Sequence, residues 1–238
     1  MKPAFYALPR GGWRDYVTLL HLPYTAWHLS YVVVGGCLAI EVPWDRLGAT
    51  VLAFFLAMGI GAHALDELAG RPLKTAIPPG ALTALAVVSL LAASTIGVIV
   101  ALSFSLWILP LVAVGAFLVP AYNLELFGGR FHSDLWFALA WGAFPVVTGY
   151  LACTGTVRLV AVIAAAWATV LSLAQRRLST PVRHTRREVV AVAGELELAD
   201  GGREAITREG LIAAPESALH LLAFATFLIA AALVALHL

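Results

Sequence analysis

The chain has 238 residues, 61% of them hydrophobic and 12% charged, with a mean hydropathy of +0.89 and a net charge of +1. That composition excludes a soluble globular domain of ordinary make-up and puts the chain in the membrane class. It also excludes a nucleic-acid partner: the basic residues distribute by topology and form no aromatic-interleaved patch.

The first 20 residues contain no apolar core of a signal peptide, so the first span is expected to be retained. Asp15 to Leu22 reads as a short interfacial segment, with Trp13 and Tyr16 at headgroup level. Pro23–Ile40 is the first predicted span, and His28 is its one ionisable residue well inside the apolar run. Leu47–His63 is the second, followed by Asp66, Glu67, Arg71 and Lys74. His63, Asp66 and Glu67 stand at helical spacings i, i+3 and i+4 and share one face.

Ala81 to Ala121 holds no charged residue. As one helix it would reach about 60 Å, roughly twice the hydrocarbon thickness. It must therefore fold back, giving spans Leu82–Val100 and Phe104–Ala121. A short polar loop then gathers Tyr122, Asn123, Glu125, Arg130, His132 and Asp134. Spans five and six are Leu135–Leu151 and Leu159–Ala174. Pro110 and Pro145 predict kinks in spans four and five. Arg176 to Glu216 reads as a loop that starts basic and contains a β-hairpin around Asp200-Gly201-Gly202. Ser217–Leu236 is the last span. The expected fold class is therefore all-α: one polytopic transmembrane bundle, residues 1–238, of about seven spans.

With the N-terminus in the cytosol, 13 of the 15 lysines and arginines fall inside and only Arg46 and Arg158 outside, as the positive-inside rule asks. Seven spans then put the C-terminus outside. Arg183, Arg186 and Arg187 read as orientation signals of this kind. Cys37 and Cys153 sit within spans and form no zinc or disulfide pattern.

Three polar clusters gather at one membrane face: His63/Asp66/Glu67/Arg71/Lys74, Tyr122/Asn123/Glu125/Arg130/His132/Asp134, and Gln175/Arg176/Arg177. Mixed acids and bases suit a diphosphate ester. Carboxylates, here Asp66 and Glu67, would hold Mg²⁺, while Arg and Lys would neutralise the remaining phosphate charge. The apolar spans would house a hydrocarbon tail, and aromatic faces would meet a developing allylic cation.

The end of span two followed by GRPL, and the run YNLELFGGRFHSDLWFALAWGAFPVVTGY with Trp141, Gly142 and Pro145, resemble the UbiA superfamily of intramembrane prenyltransferases. The likeness covers about Leu22 to Arg177. It implies a membrane prenyltransferase acting on an isoprenoid diphosphate and an acceptor, with Mg as cofactor. By that likeness Asp66, Glu67, Tyr122 and Asn123 are catalytic candidates. His63, Arg71, Lys74, Glu125, Arg130, Asp134, Gln175 and Arg176 are substrate-binding candidates. Where the family's first motif reads Asn-Asp-x-x-Asp-x-x-x-Asp, this chain has Ala62, His63, Asp66 and Gly70, and QRRLSTPVR stands in place of the second aspartate motif. Two other readings compete: a noncatalytic relative that binds membrane lipid or a protein partner through residues 176–216, and a small transporter.

Overall fold

The computed structural model describes residues 2–238. Eight helices follow one another: α1 (Trp13–Leu19), α2 (Leu22–Cys37), α3 (Trp44–Gly70), α4 (Pro79–Ser103), α5 (Ile108–Asn123), α6 (Asp134–Thr154), α7 (Leu159–Arg187) and α8 (Arg208–Leu236). Five of them, α3, α4, α6, α7 and α8, are long and apolar enough to cross a membrane. α2 and α5 have 16 residues each, about 24 Å of rise. The fold is a helical bundle with one short hairpin, the architecture that suits a chain whose amides must be satisfied within each apolar segment. Large apolar side chains such as Leu91, Leu102, Ile163 and Phe224 face outward.

Three helices, α3, α7 and α8, run well past the predicted spans at one end. α3 continues past His63 to Gly70, so Asp66 and Glu67 are helical, and it stops where Arg71 takes a left-handed conformation with φ 49°. α7 continues past Ala174 to Arg187, and α8 begins at Arg208. The stretch expected as a loop from 176 to 216 therefore shrinks to residues 188–207. Strands β1 (Glu195–Glu197) and β2 (Arg203–Ala205) pair there antiparallel, with Glu195 opposite Ala205 and Gly201 at φ 84° in the turn. Both strands are exposed throughout.

The two prolines expected to kink their spans act differently. Pro110 falls in the first turn of α5, where a missing N–H has no helical partner to lose. Pro145 follows a wide π turn at Leu139–Ala143 in α6. Having no N–H, it cannot donate to the Trp141 carbonyl four residues back. That carbonyl accepts instead from His28 Nδ1 at 3.0 Å. A second π turn widens α3 at Phe55–Ala62, a kind of irregularity frequent at functional sites.

α2 and α6 cross at backbone distance. A Cβ on Gly35 would collide with the Val146 carbonyl oxygen, and one on Gly149 with that of Val32. Small residues permit this approach, which brings the two helices into close dispersion contact. Trp27, Tyr31, Val146 and Ala168 form the buried core beside the crossing, and Trp27 Nε1 donates to the Tyr31 hydroxyl at 2.8 Å. Gly149→Leu is expected to lower stability by about 3 kcal/mol through overpacking. Gly48→Leu, where an added Cβ meets open space, is expected to leave the melting midpoint in detergent unchanged.

Candidate functional site

The ends of α3, α5 and α7 and the starts of α2, α6 and α8 converge on one polar cavity of about 410 Å³. The α1–α2 junction and α2 contribute His21, Tyr24 and His28, and α3 contributes His63 and Asp66. Tyr122 and Asn123 come from α5, and Phe137 and Trp141 from α6. Along α7, Gln175, Arg176, Arg183 and Arg187 face the cavity, and Pro3 to Tyr6 of the N-terminal segment cross its mouth. An apolar cavity of about 110 Å³ adjoins it, framed by α3, α4, α5 and α6. Trp141 lines both cavities, and it packs with Met58, Ala62 and Tyr122 as one buried cluster between them.

The structure brings together His63, Asp66, Tyr122, Asn123, Glu125, Gln175 and Arg176 of the residues named from sequence. It does not bring in the rest. Glu67 is fully buried and points away from the cavity's lining. One of its oxygens accepts from the Leu73 amide at 3.0 Å; the other accepts from the Thr75 amide at 2.8 Å and the Thr75 hydroxyl at 2.9 Å. Arg71 braces the same loop, donating to the carbonyls of Thr75 (3.1 Å) and Ile77 (2.9 Å). Lys74 and Arg130 are exposed and outside the cavity. Asp134 accepts from Arg176 Nε at 2.9 Å in the first turn of α6, with Ser133 as the N-cap. Neighbouring helical residues point about 100° apart, which is why Asp66 enters the cavity while Glu67 serves the loop.

Histidines and aromatics shape the walls. His28, His63 and His132 each direct Nδ1 at a backbone carbonyl, of Trp141 (3.0 Å), Gly59 (3.1 Å) and Tyr122 (3.0 Å) respectively. A carbonyl only accepts, so each Nδ1 carries a proton, and at His28, where an amide donor faces the other nitrogen, Nε2 is the acceptor. Gln175 Nε2 lies 3.5 Å from His28 Nε2 as the matching donor. Its Oε1 is buried without a partner, as are the Tyr122 hydroxyl and Arg187 Nε. The Tyr122 ring stacks on His132 at 4.5 Å and meets Trp141 at 4.4 Å, while Phe137 lies parallel to Trp141 at 5.8 Å. The Arg176 guanidinium stands 5.5 Å over Phe137.

The N-terminal segment closes the opposite wall. Tyr6 sits 5.3 Å from His21, whose ring stacks on His63 at 3.9 Å, and Phe5 sits 4.1 Å from His220. Burial pushes the Tyr6 phenol up. Burial, then the neighbouring His63, Arg187 and Arg183, hold the His21 imidazole well below its ordinary range.

Sequence reasoning missed His21, Tyr6, Arg183 and Arg187 as wall residues, and placed His28 only as an isolated polar residue. The signal for the arginines was present. Arg176, Arg183 and Arg187 recur at i, i+7 and i+11, a helical stripe running on from Gln175. No local pattern marks the N-terminal segment.

Comparison with protein-family models, with curated proteins and with solved structures finds no match for this chain. Among the described residues no group of three or more His, Cys, Asp or Glu side chains is arranged to hold a metal. The expected Mg²⁺ pair, Asp66 with Glu67, does not form: Glu67 has both oxygens engaged by the loop, Asp134 and Glu216 are ion-paired with Arg176 and Arg186, and of the other two cavity carboxylates Asp66 lies inside while Glu125 is exposed at the rim beside His132.

Glu67→Ala is expected to cost about 3 kcal/mol of stability without any ligand or metal present, because charge-assisted bonds are lost and buried amides are left unpaired; thermal denaturation of the purified protein measures it. A metal ligand would show no such loss in the unliganded state. The pH dependence follows from His21. The unfolded imidazole titrates near about pH 6.5 and the folded one well below, so below that value the unfolded state binds more protons. The His21 contribution to stability is therefore complete above about pH 6.5 and falls as pH drops beneath it. His21→Gln is expected to flatten the fall in melting midpoint between pH 7 and 5.

Proposed function

We propose that this chain is an integral membrane protein of UbiA-like arrangement that binds an isoprenoid diphosphate and transfers its hydrocarbon group to an acceptor. One observation carries the reading: a cationic, polar cavity shares the Trp141 wall with an apolar cavity among the helices. An amphiphile with an anionic head and a hydrocarbon tail is the ligand class that satisfies both at once. In this reading α2 to α8 are seven spans, the cavity opens to the cytosol, and Arg46 and Arg158 lie at the far side.

The chemistry follows from the walls. The C–O bond of an allylic diphosphate breaks, with the electron pair leaving on pyrophosphate. Guanidinium groups on α7 stabilise the charge that develops there. The allylic cation meets the faces of Trp141, Tyr122 and Phe137. An acceptor O–H, N–H or C–H then adds to the cation and releases its proton to Asp66, the one cavity carboxylate inside the bundle without an ion-pair partner among the described residues.

The test is pyrophosphate release from labelled geranyl, farnesyl and geranylgeranyl diphosphates by the purified protein with a membrane extract as acceptor source. Release is expected, and Asp66→Asn is expected to lower it about 10²-fold or more while binding persists. Ala57→Phe, which fills the apolar cavity, is expected to shift preference to the shorter chains. Binding without release for every chain length would favour a noncatalytic lipid-binding protein, and no binding at all would overturn the reading.

A further inference from the structure

We propose that the cavity takes its anionic headgroup directly on guanidinium groups, without a divalent metal; the inference rests on the isoprenoid-diphosphate reading. The arginines of α7 divide into two kinds. Arg176 is held by Asp134, and Arg186 forms a two-pronged pair with Glu216 at 2.9 and 2.7 Å. Arg183 and Arg187 also line the cavity, half-buried, and have no carboxylate partner among the described residues. They sit four apart on one helix, hence on one face.

The carboxylates show the opposite pattern. A hard divalent cation in a diphosphate site is held by one or two carboxylates beside the phosphate oxygens. Here Glu67, Asp134 and Glu216 are engaged elsewhere, Glu125 is exposed at the rim with His132 Nδ1 3.8 Å away, and Asp66 is half-buried, with Arg187 and Arg183 the leading opposing charges on it. A cation at Asp66 would be repelled by the two guanidinium groups that face it. An anion between those groups is attracted by both.

Two buried donors point the same way. Arg187 Nε and the Tyr122 hydroxyl have no partner, and Tyr122 is 5% exposed. A buried donor without an acceptor is costly, and phosphate oxygens are the acceptors that the planar guanidinium fork matches best. The rigid helix fixes the two forks in advance, so the positive charge that a metal would bring is already built into α7.

The experiment is equilibrium binding of labelled geranylgeranyl diphosphate to the full-length protein in nanodiscs, once in EDTA and once in excess MgCl₂. Affinity is expected to agree within about threefold between the two buffers, since no charge-assisted bond in the site depends on the metal. Arg183→Gln with Arg187→Gln is expected to weaken binding about 100-fold in both, and Arg203→Gln on the exposed hairpin is expected to change nothing. Binding that requires Mg²⁺ and vanishes in EDTA overturns the inference while leaving the isoprenoid-diphosphate reading intact. That arm uses the unaltered protein, so it decides even where the double variant fails to fold. Absence of binding in either buffer, for every chain length, overturns the reading itself.

Discussion

The loop after α3 has no helix or strand to satisfy its amides, and those of Leu73, Thr75 and Ala76 find their partners in two carboxylates. Glu67 receives the amides of Leu73 and Thr75, and Asp15 receives that of Ala76 at 2.7 Å. Asp15 also accepts from the Gly11 amide at 2.9 Å, and Thr18 accepts from that of Leu8 at 3.0 Å. Ala4 and Ala7 pack on Leu73. One small set of side-chain to backbone bonds therefore fastens the loop after α3, the N-terminal segment and α1 to one another. The mouth of the polar cavity is the space that remains between them. Its other wall hangs from α7, tied across by the Arg186–Glu216 pair to α8 and by Arg176–Asp134 to α6. Removing the inner bonds would loosen the rim long before it disturbed the crossing of α2 and α6.

Deeper in, a missing hydrogen sets the chemistry of the floor. Pro145 leaves the Trp141 carbonyl open, His28 fills the vacancy with Nδ1, and its other nitrogen thereby becomes an acceptor that orients Gln175. Two side chains on two other helices, His28 and Gln175, thus take their tautomer and amide orientation from one imino acid on α6. The same π turn holds the Trp141 ring where polar and apolar spaces meet. An aromatic ring is suited to that boundary, with a face that tolerates positive charge and an edge that packs against hydrocarbon.

Hydropathy made the helical fold and its five long apolar helices readable, because apolar runs of that length suit helices able to cross a membrane. The gathering of His63, Asp66, Tyr122, Asn123 and Gln175 was also readable, since helix threading alone sends those chain segments to one end. Glu67, Arg71, Lys74, Arg130 and Asp134 were not separable from them. Residue type and spacing do not reveal whether a carboxylate looks into a cavity or back at its own loop; Asp66 and Glu67 are adjacent in sequence and have opposite fates. Arg183 and Arg187 of α7 were read only as orientation signals, for a different reason. Hydropathy ends a span where polarity begins, at Ala174, but the hydrogen-bonded helix continues, and it carries its periodicity into water.

The hairpin of residues 195–205 stands apart from all of this, both strands exposed and no lining residue among them. Its turn at Asp200–Gly202 is a place where foreign sequence can be spliced without touching the rim or the floor. An epitope or a self-labelling tag inserted there would report, from intact cells or sealed vesicles, which leaflet the polar cavity faces.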